Sequence, residues 1–158
     1  MPRISALLHA HNDALRLGRA LDSLRPCDEV LVIDDCSEDD TAKVAHQHGA
    51  NLKSAIPGVT FGVYAMDAAH DWVLCLHPNE TLSDDLEASL FEWKNGDPGD
   101  GVACYRVPIR EQKENGWQVC PPEVRLINRK LLNWVGEMPS TQRCAQLLSG
   151  DLLRFHQP

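Results

Sequence analysis

The chain has 158 residues, 43% of them apolar, which is enough for one globular domain with a real core and too little for two comfortable ones. Its formal charge of -8 and pI near 5.2 exclude a nucleic-acid backbone as partner, because counterion release needs a basic face that this composition lacks. No run reaches the roughly 18 apolar residues of a membrane span, and Met1 to Leu8 is a strand-length apolar stretch rather than a signal peptide, so a cytoplasmic protein without a transmembrane segment is expected.

Strand and helix signals alternate from the start. Ile4 to Leu8 (ISALL) is a short apolar strand. Asn12 can cap a helix in which Ala14, Leu17, Leu21 and Leu24 recur at helical spacing before Pro26. Glu29 to Ile33 (EVLVI) is a second strand, and Ser37 can cap a second helix whose first turn holds Glu38, Asp39 and Asp40. Gly49 is its expected stop. Asn51 to Lys53 is a weaker strand, Phe61 to Ala69 a short helix, and Trp72 to Leu76 (WVLCL) a strongly apolar strand. Unbroken apolar strands separated by helices imply a mostly parallel sheet covered on both faces.

The second half changes character. A helix beginning at Ser83 carries Leu86, Leu90 and Trp93 on one face and ends in the loop Asn95-Gly96-Asp97-Pro98-Gly99-Asp100-Gly101. Two further strands, Val102 to Pro108 and Val124 to Ile127, are joined by a charged segment with a turn at Asn115-Gly116. The six cysteines show no C-x-x-C pair, so reduced thiols are expected rather than a disulfide framework or a zinc knot.

In a doubly wound sheet the loops leaving the carboxyl ends of the strands line one crevice. Here those loops are His9-Ala10-His11-Asn12-Asp13, Asp34-Asp35-Cys36-Ser37 and His77-Pro78-Asn79-Glu80. Each turns polar directly after an apolar strand, and three such loops on one edge point to a ligand site. Neither G-x-G-x-x-G nor G-x-x-x-x-G-K-[ST] is present. A nucleotide would therefore be held by carboxylates, with Asp34 or Asp35 accepting from ribose hydroxyls or a base N–H.

The order I-S-A-L-L-H-A-H-N-D, then D-E-V-L-V-I-D-D-C-S-E-D-D-T, then D-W-V-L-C-L-H-P-N-E-T-L-S resembles the family-2 glycosyltransferases of the GT-A fold. The resemblance is closest to the bacterial subgroup that extends lipopolysaccharide core or related cell-surface glycans. The later P-E-V-R-L-I-N-R and W-V-G also resemble that subgroup. The resemblance implies one GT-A domain over 1–158, a Rossmann-like three-layer sandwich whose residues 1–80 bind the nucleotide and whose residues 81–158 face the acceptor. It also implies a C-terminal truncation at Pro158, since such relatives usually continue with further helices.

The implied reaction is transfer of a sugar from a nucleotide diphosphate sugar to a glycan or lipid-linked acceptor, usually with inversion and aided by Mg²⁺ or Mn²⁺. The implied setting is the cytoplasm, extending to the inner membrane surface. By the same resemblance Asp13 and Asp35 hold base and ribose, with Ala10, His11 and Asp39 beside them.

The departures from the family pattern fall on chemistry. Its D-x-D stands here as His77-Pro78-Asn79, followed by Glu80, leaving His77, Asn79 and Glu80 as metal candidates. The basic and amide pair usual before this strand is replaced around Gly62-Val63, and its His-Glu by Pro139-Ser140. Glu137 is then the nearby carboxylate for a general base, and Arg125 the residue to face a diphosphate. Because the first and fourth strands should be neighbours, His9 or His11 with His77 and Asp35 or Glu80 forms an alternative set suited to Zn²⁺. Two readings stand: a divergent working transferase, or a catalytically silent relative that binds a nucleotide or a protein partner. A phosphoacceptor receiver domain, suggested by V-L-V-I-D-D, fails because its acidic pair should follow the first strand and its phosphorylated Asp should stand at His77.

Overall fold

The computed structural model describes residues 1–134, 136–140 and 144–157. Its elements run β1 (Ile4–Ala10), α1 (Ala14–Asp22), β2 (Glu29–Asp34), α2 (Thr41–Gln47), β3 (Asn51–Ser54), a 3-10 helix (Phe61–Asp67), β4 (Trp72–Leu76), β5 (Glu80–Leu82), α3 (Asp84–Asn95), β6 (Cys104–Lys113), β7 (Gly116–Asn128) and β8 (Leu152–Arg154). One sheet joins all the strands in the order β3-β2-β1-β4-β7-β6-β8-β5. The first four are mutually parallel. At β4 the direction switches, since β7 runs antiparallel to both β4 and β6. The mostly parallel α/β sheet expected from the sequence is what forms, and each of its antiparallel pairs takes at least one strand from the second half.

Burial on both faces explains why β1 and β4 read as unbroken apolar runs. Ile4, Ala6, Leu8 and Ala10 point to the layer that holds Leu17, Leu21, Leu86 and Leu90 of the helices. Leu7, Val73 and Cys75 point to the opposite layer, against Phe61, Tyr64 and Ala65 of the 3-10 helix. Trp134 and Met138 pack onto that second layer, so the chain beyond β7 returns across the sheet.

Local chemistry sets the element ends. Ser83 caps α3 by accepting from the Leu86 N–H at 3.2 Å, in a first turn carrying Asp84, Asp85 and Glu87. Gly49, at φ 75°, stops α2 in the left-handed conformation that favours glycine. Two expected caps are corrected. Neither Asn12 nor Ser37 caps a helix: Asp13 and Asp40 occupy those positions without a side-chain cap bond. Asn12 and Ser37 instead bond each other's loops, which releases both from the helix ends.

The sequence missed β5 and β8, each three residues long, and shortened β6 and β7. The polar stretch between the two expected strands is itself strand, because a hairpin that pairs with itself can carry charged residues on its solvent face. The turn expected at Asn115-Gly116 falls one residue earlier, on Glu114-Asn115, and Lys113 pairs with Gly116 across it.

Candidate functional site

The carboxyl ends of β1 and β2 lie side by side, with Ala10 opposite Asp34. Side chains knit the two loops that follow. The Asn12 N–H donates to Ser37 Oγ at 3.0 Å, and Asn12 Oδ1 accepts from the Glu38 N–H at 2.8 Å. Thr41 Oγ1 accepts from the Asp13 N–H at 2.9 Å, while Asp39 Oδ2 accepts from the Ala14 N–H at 3.2 Å and so satisfies the first turn of α1 from the neighbouring loop. Asn12 and Cys36 take positive φ values of 52° and 53°. This double brace fixes the edge on which Asp35 stands.

The expected nucleotide residues separate by role. Asp35 leaves its carboxylate half-exposed at 53%, with Oδ2 3.7 Å from His9 Nε2. His11 is exposed and its ring reaches the Asp35 carbonyl oxygen. Asp13 is turned inward at 14% exposure, accepting from the His11 N–H at 2.8 Å and lying 3.3 Å from Arg16 Nε. Asp39 is spent on Thr41 and Ala14, and the Thr41 hydroxyl in particular holds its carboxyl below the usual range. Ala10 is fully buried and offers backbone only.

Glu137 arrives at this edge from far along the chain. Its Oε2 lies 3.1 Å from His9 Nδ1, and its side chain remains 65% exposed. His9 stacks on Phe61 with ring centroids 5.5 Å apart and planes 20° apart. The loop carrying Glu137 is pinned from below, since the Gly62 N–H donates to the Gly136 carbonyl at 2.9 Å. A Cβ at position 62 would stand 2.5 Å from the Trp134 carbonyl oxygen and 2.7 Å from its ring. Glycine at position 62 is therefore a packing requirement, and the departure noted at Gly62-Val63 was the one sequence signal for this clamp. Val135 of the Trp134-Val135-Gly136 motif lies outside the described residues.

The third loop forms a different kind of cluster. Glu80 is fully buried and accepts from Arg125 at 2.6 and 2.8 Å, from Arg154 at 3.1 and 3.0 Å, and from the His77 N–H at 2.7 Å. Glu123 accepts from both arginines as well, at 3.1 Å from Arg125 and 2.9 Å from Arg154. Burial alone would raise the Glu80 carboxyl, but the Arg125 guanidinium overrides it and holds the group below its ordinary range. His77 is pushed down, first by burial and then by the arginines around it.

Two expectations are corrected here. Arg125 is fully buried and also donates to the Cys75 carbonyl at 3.1 Å, so it faces Glu80 rather than a diphosphate. Glu80, with its lone pairs taken by two guanidinium groups and an N–H, has no oxygen left for a cation. Asn79 offers a neutral amide oxygen in place of a carboxylate, and its amide nitrogen donates to the Phe155 carbonyl at 2.9 Å. Among the described residues no three His, Cys, Asp or Glu side chains converge to hold a metal. The residues at the end of β4 thus fit neither a hard cation, which needs free oxygen ligands, nor the imidazole set proposed for Zn²⁺ from His9 or His11 with His77. Sequence reasoning missed the partners Glu123 and Arg154, because nothing in their spacing announces that β8 comes back beside the hairpin.

No protein-family model matches the chain. It is 27% identical over 161 residues to an uncharacterised glycosyltransferase of Rickettsia felis, covering 96% of this chain and 57% of that protein. It is similar in structure to glucosyl-3-phosphoglycerate synthase from Mycobacterium tuberculosis in complex with Mg²⁺ and uridine diphosphate, with TM-score 0.52 and 21% identity, over 68% of this chain and 44% of that one. It is also similar to residues 1–349 of TarS from S. aureus, with TM-score 0.54 and 21% identity, over 75% of this chain and 38% of that one. The chain spans just over half the length of the curated relative. No helix among the described residues is long and apolar enough to cross a membrane. The architecture, with its parallel half and its switch at β4, is the GT-A glycosyltransferase fold.

Proposed function

We propose that this chain forms the donor-binding and base-carrying part of a glycosyltransferase that moves a sugar from a nucleotide diphosphate sugar to a hydroxyl acceptor. The observation that carries this reading is the meeting of Asp35, His9 and Glu137 at the carboxyl edge of β1 and β2, from positions 128 residues apart in the case of His9 and Glu137. The similar mycobacterial synthase binds uridine diphosphate with Mg²⁺, which supports a nucleoside diphosphate as the donor's leaving part. Asp35 and the His11 ring are disposed to accept and donate to ribose and base, while Asp13, Asp39 and Ala10 shape the loop that presents them.

The chemistry follows from the exposed carboxylate. Glu137, held by His9, takes the proton of the acceptor hydroxyl as that oxygen attacks the anomeric carbon. The bond from that carbon to the diphosphate breaks with inversion, and the diphosphate leaves with the electron pair. No step runs through a metal, because the one carboxylate at the end of β4, Glu80, is committed to Arg125 and Arg154. The division into a nucleotide half (1–80) and an acceptor half (81–158) belongs to the same proposal. So do a cytoplasmic site of action extending to the inner membrane surface, a glycan or lipid-linked acceptor, and a place in the family-2 cell-envelope subgroup.

The test separates binding from chemistry. Uridine diphosphate at about 100 times its Kd should stabilise the fold by about 2.7 kcal/mol, a rise of about 5–10 °C in Tm for a chain of this size. Asp35→Ala should remove that rise. Glu137→Gln should keep it and lower turnover by about 10²–10⁴-fold, the usual weight of a general base. The second reading, a nucleotide-binding relative without turnover, is favoured by the closed cluster around Glu80. It is the outcome if Glu137→Gln changes nothing because the parent transfers no sugar. Absence of any Tm rise with nucleoside diphosphates, with and without Mn²⁺, would overturn both and leave a protein-interaction module.

A further inference from the structure

Arg106 is the starting point. Its backbone is fixed on both sides: it stands opposite Val124 across an irregularity in the β6–β7 ladder, its N–H donates to the Gln146 carbonyl at 2.8 Å, and its carbonyl accepts from the Leu148 N–H at 2.9 Å. Such an irregularity re-aims a side chain. The side chain is half-buried, and its Nε is buried with no hydrogen-bond partner. Among the described residues the other cations without an ion pair are disposed of differently. Arg3 and Lys43 are exposed to water, and Arg19 lies over the Phe155 ring and donates to the Gln157 carbonyl. In a chain of net charge -8, this half-buried guanidinium keeps its fork free for an anionic partner from outside the chain.

The surroundings indicate what that is. Arg106 opens on a cavity of about 350 Å³ walled by Pro122, Val124, Met138, Pro139 and Ser140. Glu123 also borders it, but both of its oxygens are already taken by Arg125 and Arg154, so its charge is spent elsewhere. Ser140 adds a hydroxyl. The volume matches a small polar molecule, and the loop that forms one wall is the loop that presents Glu137 to His9.

We propose that this cavity is an anion-binding subsite in which Arg106 holds a phosphate monoester or a carboxylate, the anionic group of the acceptor. The acceptor role rests on the transferase reading above; the anion binding does not. A guanidinium suits such a group because its planar N–H fork matches two oxygens at once.

The experiment follows the Nε–Hε resonance of Arg106 by ¹H–¹⁵N NMR of the full chain, during titration with inorganic phosphate and separately with acetate. The expected result is a saturable shift at Arg106 and at the amides of Glu123 and Ser140 with at least one of the two anions, phosphate alone marking a phosphate ester and acetate a carboxylate. Arg106→Gln should weaken binding by about tenfold or more, the factor for losing one charge-assisted contact, and Arg106→Lys by less. Asp35→Ala should leave it intact. No saturable shift in the parent at millimolar anion overturns the proposal, whatever the variants do. So does a shift abolished by Asp35→Ala, which would put the anion in the nucleotide crevice. If uridine diphosphate binds while Arg106 stays silent, the subsite alone falls. If phosphate saturates Arg106 but uridine diphosphate does not bind, the subsite stands and the donor reading falls.

Discussion

Two polar clusters stand on the same sheet, at the ends of neighbouring parallel strands, and they differ in how much of their bonding capacity is left over. At the end of β1, Asp35 and Glu137 keep 53% and 65% of their side chains in water and share one imidazole between them. At the end of β4, Glu80 and Arg125 keep none, and each is surrounded by partners of opposite charge. The first cluster is organised but unsaturated, with carboxylate oxygens still turned to water. The second is saturated, which is the state of a group that holds a fold. A carboxylate after an apolar strand is therefore not by itself a site; what decides is whether a cation of the same chain has already claimed it.

The largest expected effect lies in the closed cluster. Glu80→Ala leaves the buried Arg125 without its main partner and should cost about 3–5 kcal/mol, read as a lower midpoint in urea unfolding. Replacing the pair together, Glu80→Leu with Arg125→Met, should recover most of that loss, since apolar residues of similar volume remove the charge that needs a partner. If the single change costs less than the double, the cluster is not what secures the end of β4.

A smaller effect is expected from acid. Burial holds the folded-state value of His77 below that of the free side chain. The unfolded chain therefore takes up the proton first, and stability present above pH about 6.5 is lost as the pH falls through that value toward the lower folded one. Glu80 and Glu123, also held down, extend the loss as the pH falls further through their lowered folded values. His77→Gln should flatten the first part of a Tm-against-pH curve and leave the second. An unchanged slope near pH 6 would mean that His77 does not respond to its surroundings as described.

The smallest effect on stability should come from the open cluster. Asp35→Ala and Glu137→Gln touch exposed side chains and should move stability by no more than about 0.5 kcal/mol. Their consequences belong in binding and turnover. A destabilisation comparable to that of Glu80→Ala would erase the distinction between the two clusters.

The sequence was most informative where periodicity and burial coincide. The unbroken apolar runs of β1, β2 and β4 made the parallel half legible, because strands covered on both faces have no polar positions to confuse the reading. The carboxyl edge was legible for the same reason: polarity appears abruptly at His9, Asp34 and His77. Sequence could not show that Asp13 and Asp39 are taken up as braces between the two loops while the Asp35 carboxylate stays open, since all three are aspartates after a strand and only the pairing of the two loops sorts them. Nor could it place Arg154 beside Glu80, because β8 is three residues long and owes its existence to pairing with β5 and β6. Gly62 lies between these cases, as an oddity in the sequence whose meaning is the ring of Trp134.

The separation of 128 residues between His9 and Glu137 also bears on time. Contacts between chain segments that far apart are the slowest to form, because the entropy of closing so large a loop is lost before the contact can repay it. The parallel half, whose strand pairs join nearer segments, is free to order earlier. If the proposed function holds, a refolding chain should bind a nucleoside diphosphate before it shows Glu137-dependent turnover, with Glu137 arriving only when the segment beyond β7 has crossed back over the sheet. The two recoveries, followed by nucleotide fluorescence and by product formation after dilution from denaturant, would then run on separate clocks.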